Sequence, residues 1–487
     1  MTVQSELIDS DIPVAEEGAD DGWRDLLRPK YFISTIMLCL GVALFAFNEF
    51  FVSVALPSAV AELGKPWLLA WAFSLYLVFA IIGGAMAAYL KGRFGARLTL
   101  VAASIVFLVG TILASLATNS SHLVVGRLLQ GFGQGITIAL CYALIPVLFP
   151  KSLVPKVFGG QGIAWAAAAF GGPLIAGILT QYVSWRAAFA SSLPAAVLFI
   201  VLVLFLVPRQ PKADENTTPV PLVRLIMIGV GILAISICGL TESRLAIVSL
   251  LAAAAVSFLV FLKADKRNTH TLLPRDAFSP RALPGAGLWI ILLMPFVGSA
   301  GAVYLMYGLQ GIWGLKPAEA GLASAILALA WSFTGILVAS IKSVETRNRL
   351  IVLGPLLLAT GTGGIVTAVT LDTLWLVYPS QVVVGAGFGV SWGTLSQLLM
   401  DRASEAERDK TSALPPTLQS TGYAIGGAVF GLLANVAGLR EGLTGEDLRG
   451  VLVPVFVAAF AMALVTLVFG WRTVVSTSAI PSAKSVP

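Results

Sequence analysis

Charge is scarce in this chain. Only 11% of its 487 residues are Asp, Glu, Lys or Arg, against 57% hydrophobic, and the mean hydropathy is +0.90. Such a composition excludes the two or three soluble domains that the length would otherwise suggest, and describes a polytopic membrane protein. Cysteine is nearly as rare: Cys39, Cys141 and Cys238 all fall inside apolar runs, where they offer neither a disulfide framework nor a metal site and read as small core residues. The two histidines, His122 and His270, lie in loops, and the sequence holds no phosphate loop, metal-ligand cluster or intramembrane nucleophile and base. These absences argue against a membrane-embedded enzyme, and the lack of a sizeable soluble domain argues against a receptor. No cofactor is expected, so energy must come from an ion gradient. The formal charge of +6 does not imply a nucleic-acid partner, because the basic residues are spread among short loops.

Residues 1–22 are acidic and polar, with no apolar stretch that would make a signal peptide. The following GWRDLLRPKY alternates apolar and basic residues, as an interfacial anchor would. Beyond it, runs of about 20 apolar residues, enough to cross a ~30 Å hydrocarbon core, recur to the end of the chain. Fourteen are expected, over 33–58, 68–90, 97–117, 122–148, 156–181, 187–208, 220–240, 245–263, 285–309, 318–341, 349–370, 374–399, 412–438 and 450–473. Of the 31 Lys and Arg, six fall in outer loops, Arg127 is intramembrane, and the remaining 24 fall in cytoplasmic segments. That asymmetry places both termini in the cytoplasm. The organisation expected is a tail and interfacial segment (1–30), a six-helix bundle (31–208), an inserted two-helix hairpin with its linkers (209–284), a second six-helix bundle (285–474) and a cytoplasmic tail (475–487).

Two charged side chains lie deep inside apolar runs: Glu49 in FAFNEFFVSVALP and Arg127 in LVVGRLLQGFGQG. Each costs about 2.5–3.5 kcal/mol at mid-bilayer on insertion scales, so the pair must either neutralise each other or be used. Their distances from the outer ends of their runs put them at one depth. Both a structural ion pair and a proton-coupling pair fit.

A repeat links the two halves. Gly131, Gly133 and Gly135 recur as Gly385, Gly387 and Gly389, an offset of 254, and Gly171 and Gly172 recur as Gly426 and Gly427, an offset of 255. The same offset sets Gln381 opposite Arg127 and Val303 near the counterpart of Glu49.

These stretches resemble the fourteen-helix drug:proton antiporter branch of the major facilitator superfamily. NEFFVSVALPSAV is similar to its first-helix signature, with Asn48 at the acidic position and Glu49 one residue later, about 100° around the helix. RLLQGFGQG matches the fourth-helix motif at Arg127, Gln130 and Gly131; the resemblance implies a part for the arginine in proton coupling. The residues themselves point to close helix packing at Gly131 and Gly135. GGQGIAWAAAAFGGPLIAG is similar to the fifth-helix antiporter motif, in which Gly172 and Pro173 would form a pivot or seal, or a plain kink. AYLKGRFGAR resembles the motif between helices 2 and 3. It keeps Arg93 and Arg97, but Gly92 stands where the family has Asp, which weakens an inward latch.

The fold expected is therefore all-α: two six-helix bundles of the major facilitator type plus two inserted helices. Candidate cavity residues are Asn48, Gln130, Tyr142, Trp165, Tyr304, Tyr307, Gln310, Trp331, Trp392, Gln419 and Tyr423, aromatic faces with a few amides that suit an amphipathic substrate. The activity expected is proton-coupled export of amphipathic small molecules across the cytoplasmic (inner) membrane by alternating access, as in multidrug efflux. An exporter of one endogenous metabolite, such as a siderophore, is the alternative within transport. Expected partners are the small-molecule substrate and the bilayer, with room for a periplasmic accessory protein, and the protein is expected to be a monomer.

Overall fold

The computed structural model describes residues 23–150, 152–209, 222–267, 283–402 and 408–478, apart from Gly239, Glu242, Ser340 and Lys342. Both tails and most of the two linkers flanking the expected hairpin lie outside them. Among the described residues every regular element is helical. A short 3₁₀ turn, Trp23–Leu27, leads into α1 (Pro29–Leu63), α2 (Leu68–Phe94), α3 (Ala96–Ser115), α4 (Ser120–Leu148), α5 (Val154–Tyr182), α6 (Trp185–Ala190) and α7 (Leu193–Leu206). The hairpin is α8 (Leu222–Cys238) and α9 (Arg244–Arg267). The rest is α10 (Leu283–Ala300), α11 (Met306–Gly311), α12 (Pro317–Ala339), α13 (Val344–Thr370), α14 (Leu374–Arg402), α15 (Arg408–Val436) and α16 (Gly445–Ser478).

Two expected spans are not single α-helices. The sixth is broken at Ser191–Ser192, with Pro194 in the first turn of α7, where its missing N–H costs nothing. The ninth changes winding at Gly301–Leu305, a π-helical turn joining α10 to α11. By length and apolarity twelve helical segments among the described residues can cross a membrane, α6–α7 and α10–α11 each counting once. Of the fourteen expected, α8 is a shorter apolar helix of 17 residues, and α15 opens on the polar sequence RDKTS.

The glycine repeat explains the packing. Cβ atoms at Gly131 and Gly135 would collide with the carbonyls of Tyr76 and Ala80 in α2, and one at Gly133 with Ala103 in α3. In the second half Gly385 and Gly389 meet Leu327 and Trp331 of α12, and Gly387 meets Gly354 of α13. The same spacing thus lets α4 and α14 each approach two neighbours backbone to backbone. The halves meet along two seams, α2 with α15 and α5 with α12. On the second seam Gly321 abuts the Pro173 carbonyl, and Gly177 would meet Ala318 at 2.6 Å. On the first, Gly427 faces Ser74, and Gly431 faces Ala70. All these contacts lie toward one end of the molecule, where Glu441 also approaches Gly64. α8 packs on both α2 and α15, and the Trp71 indole N–H donates to the Ser236 carbonyl at 3.2 Å. Within the hairpin Arg224 and Asp265 form a buried ion pair that the sequence analysis did not single out.

Candidate functional site

The site begins at Arg127, whose side chain is 1% exposed. A buried guanidinium needs several acceptors, and four elements of the first half supply its surroundings. Nη1 donates to Asn48 Oδ1 in α1 at 2.5 Å and to Gln130 Oε1 one turn along α4 at 2.8 Å. Nε donates to the Ala72 carbonyl in α2 at 2.9 Å, and the guanidinium carbon lies 4.0 Å from the centroid of the Tyr76 ring. Gln130 passes the network to α3 by donating to Thr111 Oγ1 at 3.0 Å.

This geometry corrects the expected pairing. No ion pair or side-chain hydrogen bond joins Glu49 to Arg127; Asn48 takes that place. The reason is helical: Glu49 is rotated about 100° from Asn48, so the two cannot face one partner equally. The Glu49 carboxylate lies within electrostatic range of Arg127, Tyr76 and, across the seam, Tyr423 of α15. It is half-buried.

The expected cavity residues separate into groups. Asn48 and Gln130, 2% and 0% exposed, are not cavity lining; they hold Arg127. Trp331, Trp392 and Tyr423 belong to an aromatic wall of the second half. Trp331 stacks on Phe388 at 4.8 Å and meets Trp392 edgewise at 6.1 Å, while Tyr423 lies beside Gly298 and meets Phe73 of α2 at 6.1 Å. Gln419, part-buried, is one turn before Tyr423 on α15. Tyr142 and Trp165 sit in the first half, on Phe158 at 5.9 Å and Phe45 at 6.0 Å. Tyr304, 1% exposed, is packed in the core beside Gly431 rather than lining a cavity, because its ring is enclosed at the α2–α15 seam. Tyr307 is part-buried near it, and Gln310 donates to the Val54 carbonyl at 3.4 Å, tying α11 to α1.

Of the packing candidates, Gly131 and Gly135 seat α4 on α2, Gly172 lies against Phe50, and Pro173 belongs to the α5–α12 seam. Arg93 is exposed and donates to the Tyr89 hydroxyl at 3.2 Å; Arg97 is half-buried. Sequence reasoning missed Tyr76 and Ala72, which complete the shell of Arg127, and the buried Gln134 and Gln161. The stripe 127, 134, 141 on α4, spaced by seven, was the available signal.

Comparison with known proteins gives a consistent result. The sequence model of the Major Facilitator Superfamily matches residues 38–431. A probable multidrug-efflux transporter of Mycobacterium tuberculosis is 31% identical over 440 residues, covering 87% of this chain and 92% of that protein. The multidrug efflux pump SdrM of Staphylococcus aureus is 24% identical, covering 91% of this chain and 98% of the pump. Among solved structures, a POT family transporter in complex with 5-aminolevulinic acid aligns with a TM-score of 0.66 at 15% identity, over 91% of this chain and 96% of that one. At that identity the likeness speaks for the fold.

Proposed function

This chain belongs to the Major Facilitator Superfamily, and from that premise we propose that it is a proton-coupled exporter of amphipathic small molecules, a multidrug efflux transporter of the cytoplasmic membrane. One observation carries the coupling. Asn48 and Gln130 already satisfy Arg127, so the adjacent Glu49 keeps a carboxyl with no hydrogen-bond or ion-pair partner among the described residues, within electrostatic range of Tyr423. A membrane-embedded acid that lacks a fixed partner can take up and release a proton as its surroundings rearrange. The aromatic wall of Trp331, Trp392 and Tyr423 offers flat faces to an amphipathic or monocationic substrate, which loaded and unloaded states of Glu49 would hold differently. The multidrug names of the relatives support this reading over an exporter of one metabolite.

We read fourteen crossings, α8 and α15 added to the twelve; the even number keeps both termini on one side, and the Lys and Arg asymmetry favours the cytoplasm for that side. The end at which Gly64 meets Glu441 and α5 meets α12 is then the outer one. With the seams in contact there, the outer side is closed, and rocking of the halves about the seams would open it outward.

The test is Glu49→Gln in proteoliposomes. Export against a concentration gradient, driven by a pH gradient, should be abolished, while dye binding stays within about threefold of the unsubstituted protein, a change of roughly 0.65 kcal/mol or less. Uphill export at an unchanged rate would overturn the assignment. With one carboxyl there is one proton per cycle. A potential of 100 mV contributes about 2.3 kcal/mol per charge moved, so dications should accumulate less than monocations.

A further inference from the structure

Several buried polar groups in the first half meet no protein partner among the described residues: the Tyr76 hydroxyl, the Gln134 amide nitrogen, and both amide atoms of Gln161. Each of these side chains is 1% exposed. Such groups are rare in native proteins and point to internal water or an ion.

Their places form a line along α1. Arg127, Gln134 and Cys141 share one face of α4. Both ends of that stripe touch α1, Arg127 at Asn48 and Cys141 at Gly41. Gln134 lies midway along that stripe, about 10 Å along α4 from Arg127. On α5, Gly160 packs against Cys39 and Thr35, and Trp165 packs on Phe45. Gln161 thus stands one to two turns further along α1 toward its N-terminal end. Phe158 and Gly159, within three residues of it, are exposed. The charged and titratable groups packed around this line are Glu49, Arg127, Tyr76, Cys39, Cys141 and Tyr142.

We propose that Tyr76, Gln134 and Gln161 hold a file of water between α1, α4 and α5, through which Glu49 discharges its proton to the cytoplasm, apart from the aromatic wall that takes substrate. The inference rests on the reading of Glu49 as proton carrier. The ~10 Å between Arg127 and Gln134 along α4 accommodates roughly three waters at ~2.8 Å spacing. The amides carry no excess proton. They anchor and orient the waters, so that a proton leaving Glu49 protonates the nearest water while the furthest releases one to the cytoplasm, and none is gained or lost between. Proton discharge and substrate loading then use separate routes in the inward-facing state.

The experiment compares Gln134→Leu, Gln161→Leu and the double variant with Glu49→Gln in the same proteoliposomes, using a fluorescent monocationic dye. Two rates are read: export driven by a pH gradient, and dye-for-dye exchange at equal pH, which needs no net proton movement. The glutamine variants should lose at least tenfold in driven export, keep exchange within twofold, and unfold at the same or a higher temperature, since leucine needs no buried hydrogen-bond partner. Unchanged driven export in the double variant overturns the proposal, as does a parallel fall of both rates with a lowered unfolding temperature. If Glu49→Gln still pumps, the carrier assignment fails. If Glu49→Gln is dead while the glutamine variants pump normally, the carrier stands and the water file alone is wrong.

Discussion

Arg127 in α4 and Gln381 in α14 occupy equivalent places, 254 residues apart, and their surroundings diverge. Arg127 is clasped by α1, α2 and its own helix, with every contact to a fixed acceptor or ring. Gln381 is also buried, 4% exposed, but its amide oxygen meets no protein donor among the described residues. Where α1 carries Asn48 and Glu49 in a continuous α-helix, the equivalent segment of the second half carries Ala302 and Val303 inside the π-helical turn. One ancestral packing scheme, kept by the glycines, therefore serves a polar bolt in one half and an apolar, differently wound helix in the other. Charge chemistry is concentrated in the first half and aromatic surface in the second. π-turns within longer helices are frequent at functional sites, and this one adjoins the wall around Gly298 and Tyr423.

Arg127→Ala would break this contrast most severely. It strands the Asn48 and Gln130 side-chain oxygens, each costing about 1–3 kcal/mol when buried without a donor, while the Ala72 carbonyl keeps its helical donor. Export should become undetectable and the unfolding temperature should fall sharply; Arg127→Lys, which keeps the charge without the planar fork, should fall between. Asn48→Leu comes next. Loss of one hydrogen bond to a charged group should cost about 1.5–3 kcal/mol, read by thermal unfolding in detergent, whereas Glu49→Gln, removing no such bond, should leave stability unchanged. In the other half Trp331→Ala should weaken dye binding by about 1–2 kcal/mol, five- to thirtyfold by fluorescence titration, through lost stacking. Gln381→Leu should have the smallest effect, a stability change within about 0.5 kcal/mol or a slight gain, because it removes an acceptor that no protein group meets. A large loss there would show that the two halves are more alike than their contacts imply.

Much of this was legible in the sequence. Long apolar runs fix where helices lie, and the paired glycines fix which helices approach closely, since only small residues permit it. The partner of Arg127 was misread by one residue. A search guided by charge selects Glu49, while the helix turns Asn48 toward the guanidinium, and neutral amides leave no mark in a hydropathy profile. The π-helical turn at 301–305 and the break at Ser191–Ser192 have no composition that sets them apart from neighbouring turns. The Arg224–Asp265 pair was obscured because each member sits near a helix end, where a charge ordinarily reads as solvated. Gln134 and Gln161 were hidden among many polar residues, and only burial without a partner distinguishes them.

The position of α8 gives the molecule a compass bearing within the plane of the bilayer. It lies along both α2 and α15, so lipid reaches that seam only past a helix, whereas the α5–α12 seam carries no such helix among the described residues. A neighbouring protein or a stiff lipid patch pressed against the α5–α12 flank would meet both halves of the transporter directly. The same neighbour on the opposite flank would touch the inserted hairpin first.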